Sequence, residues 1–314
     1  MRAFNFLLAV LLSAPTPPTP PAKVPAGVIL VKGAWSSASD TDTPVPESGK
    51  ATARDYRSNY FQLRYPFIPG WKQPFEGPPP SDRGYYVLAQ IEPTGEHVGS
   101  VLIEAQDLFF TATATSSAFG LVSYASSHLR ADYVIERPIS QLTLAGRSFA
   151  RLDYVSPAAG LHWSVLATQI RCHAVQFTLT STHPDVINQL VAGLREMTVG
   201  TDVAPICIKD YASGANVLNR IDPLLTDRHF NAIPVRVIID TSGHVKFIHF
   251  ISAFPDQARV ITEALRQWRF KPYVSDGKAV EVETGILFGV QPSKPLISGK
   301  HDPQLPPARK HETT

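Results

Sequence analysis

The chain has few cysteines, few methionines and no excess of charge of one sign. Two cysteines among 314 residues cannot hold together a disulfide-dense miniprotein. Lys and Arg number 29 against 27 Asp and Glu, so a net charge of +2 gives no basic surplus for binding nucleic acid. Because 44% of the residues are hydrophobic, the chain is not a solvated disordered polymer either. At roughly 150 residues per domain, the length predicts two globular domains.

The sequence also lacks a long apolar run. Residues 1–14 contain only a short one, from Phe6 to Leu12, and closely spaced prolines follow it. A membrane-spanning helix needs about 20 apolar residues, so we interpret this segment as an export signal peptide. The protein is then periplasmic, or associated with the inner membrane if the signal is not cleaved. Residues 15–54 form a Pro-rich and polar spacer with a strand predicted over 28–35, and the polar tail over 291–314 is predicted to be disordered.

Residues 55–200 have the pattern of an α+β domain. Runs of alternating apolar and polar residues separated by glycines predict an antiparallel meander. Helical spacing over 116–130 predicts one helix, and a second is predicted over 183–197 with Thr182 as its N-cap and Pro184 in its first turn. We therefore expect an antiparallel sheet with packed helices.

A smaller α+β unit follows a linker at about residue 200. The run V-R-V-I-I-D, the turn T-S-G and the strand over 244–252 predict a β-hairpin. A helix is predicted from Pro255, and a last strand over 279–290. Three strands cannot close a barrel, so this sheet should be covered by the helix on one face and should have an exposed edge.

This second unit, over 203–290, resembles the C-terminal domain of TonB, the energy-transducing protein of the bacterial envelope. The resemblance rests on "PVRVIIDTSGHVKFIHFISAFP", "ALRQWRFKP" and "GKAVEVETGILFGV", of which the W-R-F-x-P element is the most specific. It implies a β-β-α-β domain whose last strand receives an extended segment of an outer-membrane receptor by β-augmentation. The structural positions it implies are the hairpin turn, the aromatic residues at the helix end, the helix stop and a later turn: Gly243, Trp268, Phe270, Pro272 and Gly277.

The receptor-pairing strand implied by the same resemblance contains Val280, Val282, Thr284 and Ile286. Its contacts would be made by the main chain, so the prediction concerns an exposed strand edge. Trp268 and Phe270 are expected to pack in the core and not to bind the partner. The chain departs from TonB because its N-terminal apolar run is too short to span a membrane and a folded domain replaces the long spacer. Energy coupling by this chain alone is therefore not expected.

The first domain resembles in outline the PsbP and DcrB group of exported α+β domains. The residues that carry this likeness are the strand "YFQLRYPFIPGW" and the hairpin "LTLAGRSFARLDY". It implies a fold and no functional site.

Cys172 and Cys207 are the chain's two thiols. An exported protein meets an oxidising compartment, which permits a disulfide between them. Separate burial of two small apolar side chains explains the sequence equally well. Neither cysteine has the surroundings of a reactive thiolate, so a catalytic role is not expected.

Catalytic and metal-binding motifs are absent from the sequence. Among 10 histidines, none has a ligand-like spacing, and the least unfavourable acid–base pair is Asp153 with His162. We therefore expect no enzyme activity, no cofactor and no metal. The leading hypothesis is an envelope protein-interaction module related to TonB-dependent transport. Two alternatives remain: a scaffold that dimerises through the same edge, and a ligand-binding or hydrolytic activity of the first domain, near the loop over 77–82.

Overall fold

A computed structural model describes most of the folded part of the chain. The described residues are 28–30, 38–40, 43–74, 84–95, 98–111, 115–200, 205–225 and 232–289. The proposed signal peptide, most of the spacer, the loop over 77–82 and the tail lie outside them, as do residues 31–35 of the first predicted strand. Helix accounts for 17% and strand for 48%, so the fold is mixed α+β with mostly β-sheet.

The described residues form strands of two to eleven residues and three α-helices. The strands are β1 (Val28–Leu30), β2 (Ala38–Asp40), β3 (Lys50–Ala51), β4 (Asp55–Ser58), β5 (Leu63–Pro66), β6 (Trp71–Lys72), β7 (Tyr85–Pro93), β8 (Gly99–Asp107), β9 (Val134–Leu144), β10 (Arg147–Ser156), β11 (Leu161–Ile170), β12 (His173–Ser181), β13 (Thr198–Val199), β14 (Ile206–Cys207), β15 (Val217–Asn219), β16 (Ala232–Ile239), β17 (Val245–Phe250), β18 (Arg269–Phe270), β19 (Tyr273–Ser275), β20 (Lys278–Val280) and β21 (Val282–Gly289). The helices are α1 (Ala118–Ser127), α2 (Pro184–Gly193) and α3 (Pro255–Leu265), and single 3-10 turns occupy Pro46–Ser48 and Leu194–Glu196.

The N-terminal part, from β3 to β13, is built on a seven-stranded sheet in the order β6-β7-β8-β12-β11-β10-β9. Its strands β9 to β12 form the predicted antiparallel meander. Helix α2 packs on one face through Ile187 and Leu190, and α1 packs through Val122 into a separate cluster of buried apolar residues. The N-cap of α2 is His183 and not Thr182, because the helix begins one residue later, at Pro184.

The C-terminal part, from β14 to β21, contributes four strands to a six-stranded sheet in the order β1-β2-β17-β16-β21-β14. Strands β16 and β17 form the predicted hairpin. Its turn needs a glycine at Gly243, where φ is +86° and a Cβ atom would lie 2.0 Å from the carbonyl oxygen of Phe270. Helix α3 covers one face, burying Ile261 and Leu265 in the same cluster as Val235 and Val237.

The opposite face of the six-stranded sheet is covered by the N-terminal part. Alternate residues of β16 and β21 point to this face, among them Arg236, Glu283 and Gly285. A Cβ atom on Gly285 would lie 2.6 Å from the ring of Phe110, so only glycine permits this close approach. Three layers result: helix α3, the six-stranded sheet, and the end of the seven-stranded sheet near Asp107.

The predicted last strand over 279–290 is broken in two. Strand β20 pairs with β19 in a separate hairpin, turned at Gly277 with φ of +75°, while β21 begins at Val282. Strand β21 lies inside the sheet, between β16 on one side and the two-residue β14 on the other. The prediction of an exposed edge on the last strand is therefore wrong at Val282 and Glu283, which already pair with β14.

Candidate functional site

The four residues of the predicted receptor-pairing strand have different surroundings. Val280 belongs to the β19–β20 hairpin and not to β21. Val282 and Thr284 are buried, Val282 pairs with Ile206 of β14, and the hydroxyl of Thr284 donates to the carbonyl oxygen of Lys209 at 3.0 Å. Only Ile286 borders an open groove. A short strand from the chain itself thus occupies the first part of the predicted edge.

Beyond β14, no described residue pairs with the β21 edge, and this part of the edge presents different residues from those predicted. The amides of Ile206 and Ile208 donate to the carbonyl oxygens of Glu281 and Glu283, at 2.9 and 3.0 Å, so the odd-numbered residues face β14. By the alternation of a strand, the backbone groups of Gly285 and Leu287 face the same side. Strand β14 ends before reaching them, and no described residue hydrogen-bonds their outward N–H or C=O groups.

The open edge borders a groove of about 320 Å³. Residues 209–213 turn away from β21 and form the other wall, held there because Tyr211 is buried and its hydroxyl donates to the carbonyl oxygen of Lys271. The groove contains charged groups from Lys209, Asp210 and Arg220, and apolar groups from Trp268, Ile286 and Phe288. A segment that continues the line of β14 would lie along Gly285 and Leu287 in this groove.

Of the residues matched to the W-R-F-x-P element, Trp268 lines this groove. Trp268 is buried, and its Nε1 donates to the carbonyl oxygen of Ile221 at 2.8 Å. Phe270 is equally buried and lies in β18. Pro272 is not the residue that stops the helix, because α3 already ends at Leu265. Trp268 and Phe270 thus pack in the core, and Pro272 separates β18 from β19.

A disulfide joins Cys172 to Cys207. Cys172 follows β11 in the N-terminal part and is fully buried, whereas Cys207 lies in β14. The bond therefore fixes the strand that covers β21 to the opposite part of the molecule. Because β14 pairs with β21 at only two residues, we expect this covalent link to be a main restraint on β14.

A group of buried charged and aromatic side chains lies beneath β21, between the two sheets. We call it the interface cluster, and its members are Tyr60, Tyr86, Asp107, Arg171, His173, Arg236, His249 and Glu283. The four charged members form two acid–base pairs. Glu283 accepts from Nε of Arg171 at 2.9 Å, and Asp107 accepts from Nε of Arg236 at 2.8 Å. Nε of Arg236 also lies 3.7 Å from Glu283, which links the pairs.

The aromatic members complete the interface cluster. The hydroxyl of Tyr60 donates to Glu283 at 3.0 Å, and the guanidinium of Arg171 lies 3.8 Å from the centre of the Tyr60 ring. The hydroxyl of Tyr86 lies 3.2 Å from Nε2 of His249. Because the two cations balance the two carboxylates, the cluster is neutral when its histidines are neutral. It stabilises one arrangement of the two parts.

Burial keeps the two histidines of the interface cluster uncharged. Burial, together with the nearby cations Arg236 and Arg171, lowers the pKa of His249 to about 3. The pKa of His173 is also held well below its usual value by burial and by the same two arginines. Burial likewise raises the pKa of Tyr60 and Tyr86 well above 10. The two histidines and the two tyrosines of the cluster are therefore uncharged near neutral pH.

Acidification is expected to destabilise the folded chain through His249. In the unfolded chain this histidine takes up a proton below about pH 6.5, but in the folded chain only near pH 3. The contribution of neutral His249 to the free energy of unfolding is therefore fully present above pH 6.5 and is lost as the pH falls toward 3. At pH 4 the expected loss is roughly 3 kcal/mol for this residue. Urea unfolding at pH 7 and pH 4 measures it. The variant His249→Gln should lose about 3 kcal/mol less than the unchanged chain, and equal losses in both proteins would contradict this assignment.

The candidate acid–base pair is not assembled. Asp153 accepts from Arg137, Arg151 and Ser164, the last at 2.6 Å, and it has no contact with His162. His162 instead pairs with Glu136 at 2.9 Å. Among the described residues, no group of three or more His, Cys, Asp or Glu side chains could hold a metal ion.

Another long edge strand, β9, is poorly suited to recruit a partner. Among the described strands it pairs only with β10, and the register of that pairing shifts twice between Arg151 and Tyr154. Opposite these irregularities β9 carries the charged residues Glu136 and Arg137 and then Pro138. Bulges, charges and proline are the usual means of preventing strand addition at an edge. The open part of β21 has none of these protections.

The charges of the interface cluster were not identified from the sequence. A signal was nevertheless present: Arg236 and Glu283 each stand alone in a strongly apolar strand. In β16, Val235 and Ile238 point to opposite faces of the sheet, and both are buried. Such a strand is covered on both faces, and a lone charge within it requires a partner from the covering layer. The partners Asp107 and Arg171 carry no comparable signal.

Comparisons with known proteins give no family. No protein-family model matches the chain, and no curated protein matches it. Among solved structures, the chain is similar to the solution structure of cyanobacterial PsbP (CyanoP) from Synechocystis sp. PCC 6803, with 16% identity and a TM-score of 0.33. The overlap covers 48% of this chain and 94% of that one, and it falls in the N-terminal part. None of the helices in the described ranges is long and apolar enough to span a membrane.

Proposed function

We propose that this is an exported envelope protein of two domains whose C-terminal domain, similar to that of TonB, captures an extended segment of another protein. The segment adds to the six-stranded sheet at the outward backbone groups of Gly285 and Leu287. The observation that carries this proposal is that these groups have no partner among the described residues and border a groove. Extended segments bind such edges through main-chain hydrogen bonds.

The arrangement of the two parts supports a stable docking platform. The N-terminal part covers the second face of the sheet, and β14 covers the first part of the β21 edge. The part of the β21 edge that β14 leaves unpaired is short. This favours one register of an added segment over several alternative registers. The Cys172–Cys207 disulfide is consistent with an oxidising compartment such as the periplasm. A segment of an outer-membrane receptor is the partner we propose, without energy coupling by this chain alone.

Proline at position 287 tests the proposed edge. Leu287→Pro removes an N–H that points into the groove and is not used by β16, where the residue opposite is Pro234. The matched variant Leu287→Ala keeps this N–H and shortens only the side chain. Random twelve-residue peptides displayed on phage are first selected for binding to the full oxidised chain. We expect the selected peptides to bind Leu287→Pro at least tenfold more weakly than the unchanged chain, and to retain binding to Leu287→Ala.

Two outcomes would contradict the proposal. One is a selection that enriches no peptide, or only peptides that bind Leu287→Pro as well as the unchanged chain. The other is a homodimer, seen by analytical ultracentrifugation, that dissociates in Leu287→Pro, because the edge would then serve self-association and a scaffold role. Thermal unfolding of both variants provides the control that each is folded.

A further inference from the structure

We propose that the segment captured at β21 alternates carboxylate and apolar side chains. This inference rests on the proposed function and specifies the partner. Successive side chains of an added strand point to opposite faces of the sheet. The alternation therefore follows from the different surfaces that the two faces present beside Gly285 and Leu287.

The face on the α3 side favours a carboxylate. Among the charged side chains that line the groove, Lys209 and Arg220 are cationic and Asp210 is anionic. Lys209 has no acidic partner within 4.0 Å among the described residues. Arg220 pairs at 2.7 Å with Asp222, which is 75% exposed and does not line the groove, and its guanidinium lies 5.2 Å from the Trp268 ring centre. Within the groove lining the cations therefore outnumber the anions by two to one, and Asp222 balances Arg220 from outside the groove.

The face toward the N-terminal part favours an apolar side chain. Leu287 is 39% exposed on this face and lines a second cavity, of about 430 Å³, together with Phe110, Pro234 and Ile251. Phe110 also lies against Gly285, so an apolar surface extends along the open part of β21. In a strand added beside Leu287, every second side chain would point to this face and lie next to Leu287 and Phe110. Contact with apolar partners there removes exposed hydrocarbon from water.

The two faces can be tested separately with three synthetic peptides. Each is six residues long and capped at both ends, and they alternate Glu with Val, Lys with Val, or Glu with Thr. Chemical-shift titration of the full oxidised chain measures their dissociation constants even when binding is weak. At low salt we expect the Glu/Val peptide to bind about fivefold more tightly than the Lys/Val peptide, with the difference shrinking at high salt. We also expect it to bind more tightly than the Glu/Thr peptide.

Two variants assign each preference to a face. Lys209→Glu should remove or reverse the preference for Glu/Val over Lys/Val and leave the preference for Val over Thr unchanged. Leu287→Ala should reduce the preference for Val over Thr and leave the charge preference unchanged, so each variant is the control for the other. A further variant, Asp210→Asn, should strengthen binding of the Glu/Val peptide.

The outcomes separate this inference from the proposed function. If all three peptides bind equally, and binding still requires the N–H of Leu287, the edge captures segments but the alternating chemistry is wrong. Tighter binding of Lys/Val than Glu/Val would also overturn the inference. If none of the three synthetic peptides shifts the resonances of Gly285 or Leu287 but the selected phage peptides do, the inference about alternating side chains is wrong and the proposed function stands. If neither kind of peptide does so, the proposed function fails as well.

Discussion

Replacement of Arg236 by methionine is expected to lower the free energy of unfolding by about 3–5 kcal/mol. Arg236 is buried between the two sheets, and it is the cation that pairs with Asp107. Without it, the carboxylate of Asp107 would keep only its bonds from the amides of Phe109 and Phe110, at 2.7 and 3.0 Å. An uncompensated charge would then remain in the interface. Urea unfolding followed by circular dichroism at pH 7 measures the loss.

Two further variants test the cause of this loss. The double variant Arg236→Met with Asp107→Asn should be more stable than Arg236→Met alone, because asparagine removes the unpaired charge and still accepts from the two amides. The matched surface variant Arg259→Met breaks an ion pair with Glu263 in which the side chains are 51% and 61% exposed, and it should cost at most about 0.5 kcal/mol. If Arg236→Met costs no more than Arg259→Met, the interface cluster does not hold the two parts together.

Removal of the disulfide is expected to have the second-largest effect. The bond closes a loop with a sequence separation of 35 residues, for which the loss of chain entropy in the unfolded state gives about 3–4 kcal/mol. The double variant Cys172→Ala with Cys207→Ser should lose this amount of unfolding free energy. The amides of β21 next to β14 should also exchange faster in this variant, because β14 would be held by only a few hydrogen bonds.

The unchanged chain treated with a dithiol reductant is the control for this variant. It should reproduce the loss of stability without the volume change at position 172. If reduction leaves both the unfolding midpoint and the exchange near Val282 and Glu283 unchanged, then β14 is held by its other contacts and the disulfide does not restrain it.

The local elements of the C-terminal part could be predicted from the sequence. The β-rich runs, the T-S-G turn and the apolar spacing after Pro255 gave the hairpin and the helix in their observed order. These features depend on residues close together in the chain. The boundary of α3 was placed too late, because Pro272 suggested a stop although the chain leaves the helix after Leu265.

The coverage of β21 could not be predicted in the same way. Strand β14 is two residues long, has no periodicity of its own, and pairs with Val282 and Glu283 far along the chain. The register depends on the docking of the two parts, which positions Cys172 near Cys207 and Arg171 near Glu283. As a result, the predicted binding strand was assigned the even-numbered residues, whereas the outward backbone groups beyond β14 belong to Gly285 and Leu287.

Hydrogen exchange at the amides of β21 tests the central claim most directly. In the free, oxidised, full chain, the amide of Leu287 should exchange rapidly, while those of Ile286 and Phe288, which face β16, should exchange slowly. Saturation with the Glu/Val peptide should slow exchange at Leu287 and leave its two neighbours unchanged. An amide of Leu287 that is already protected in the free chain, or that stays unprotected in the saturated complex, would contradict strand addition at this edge.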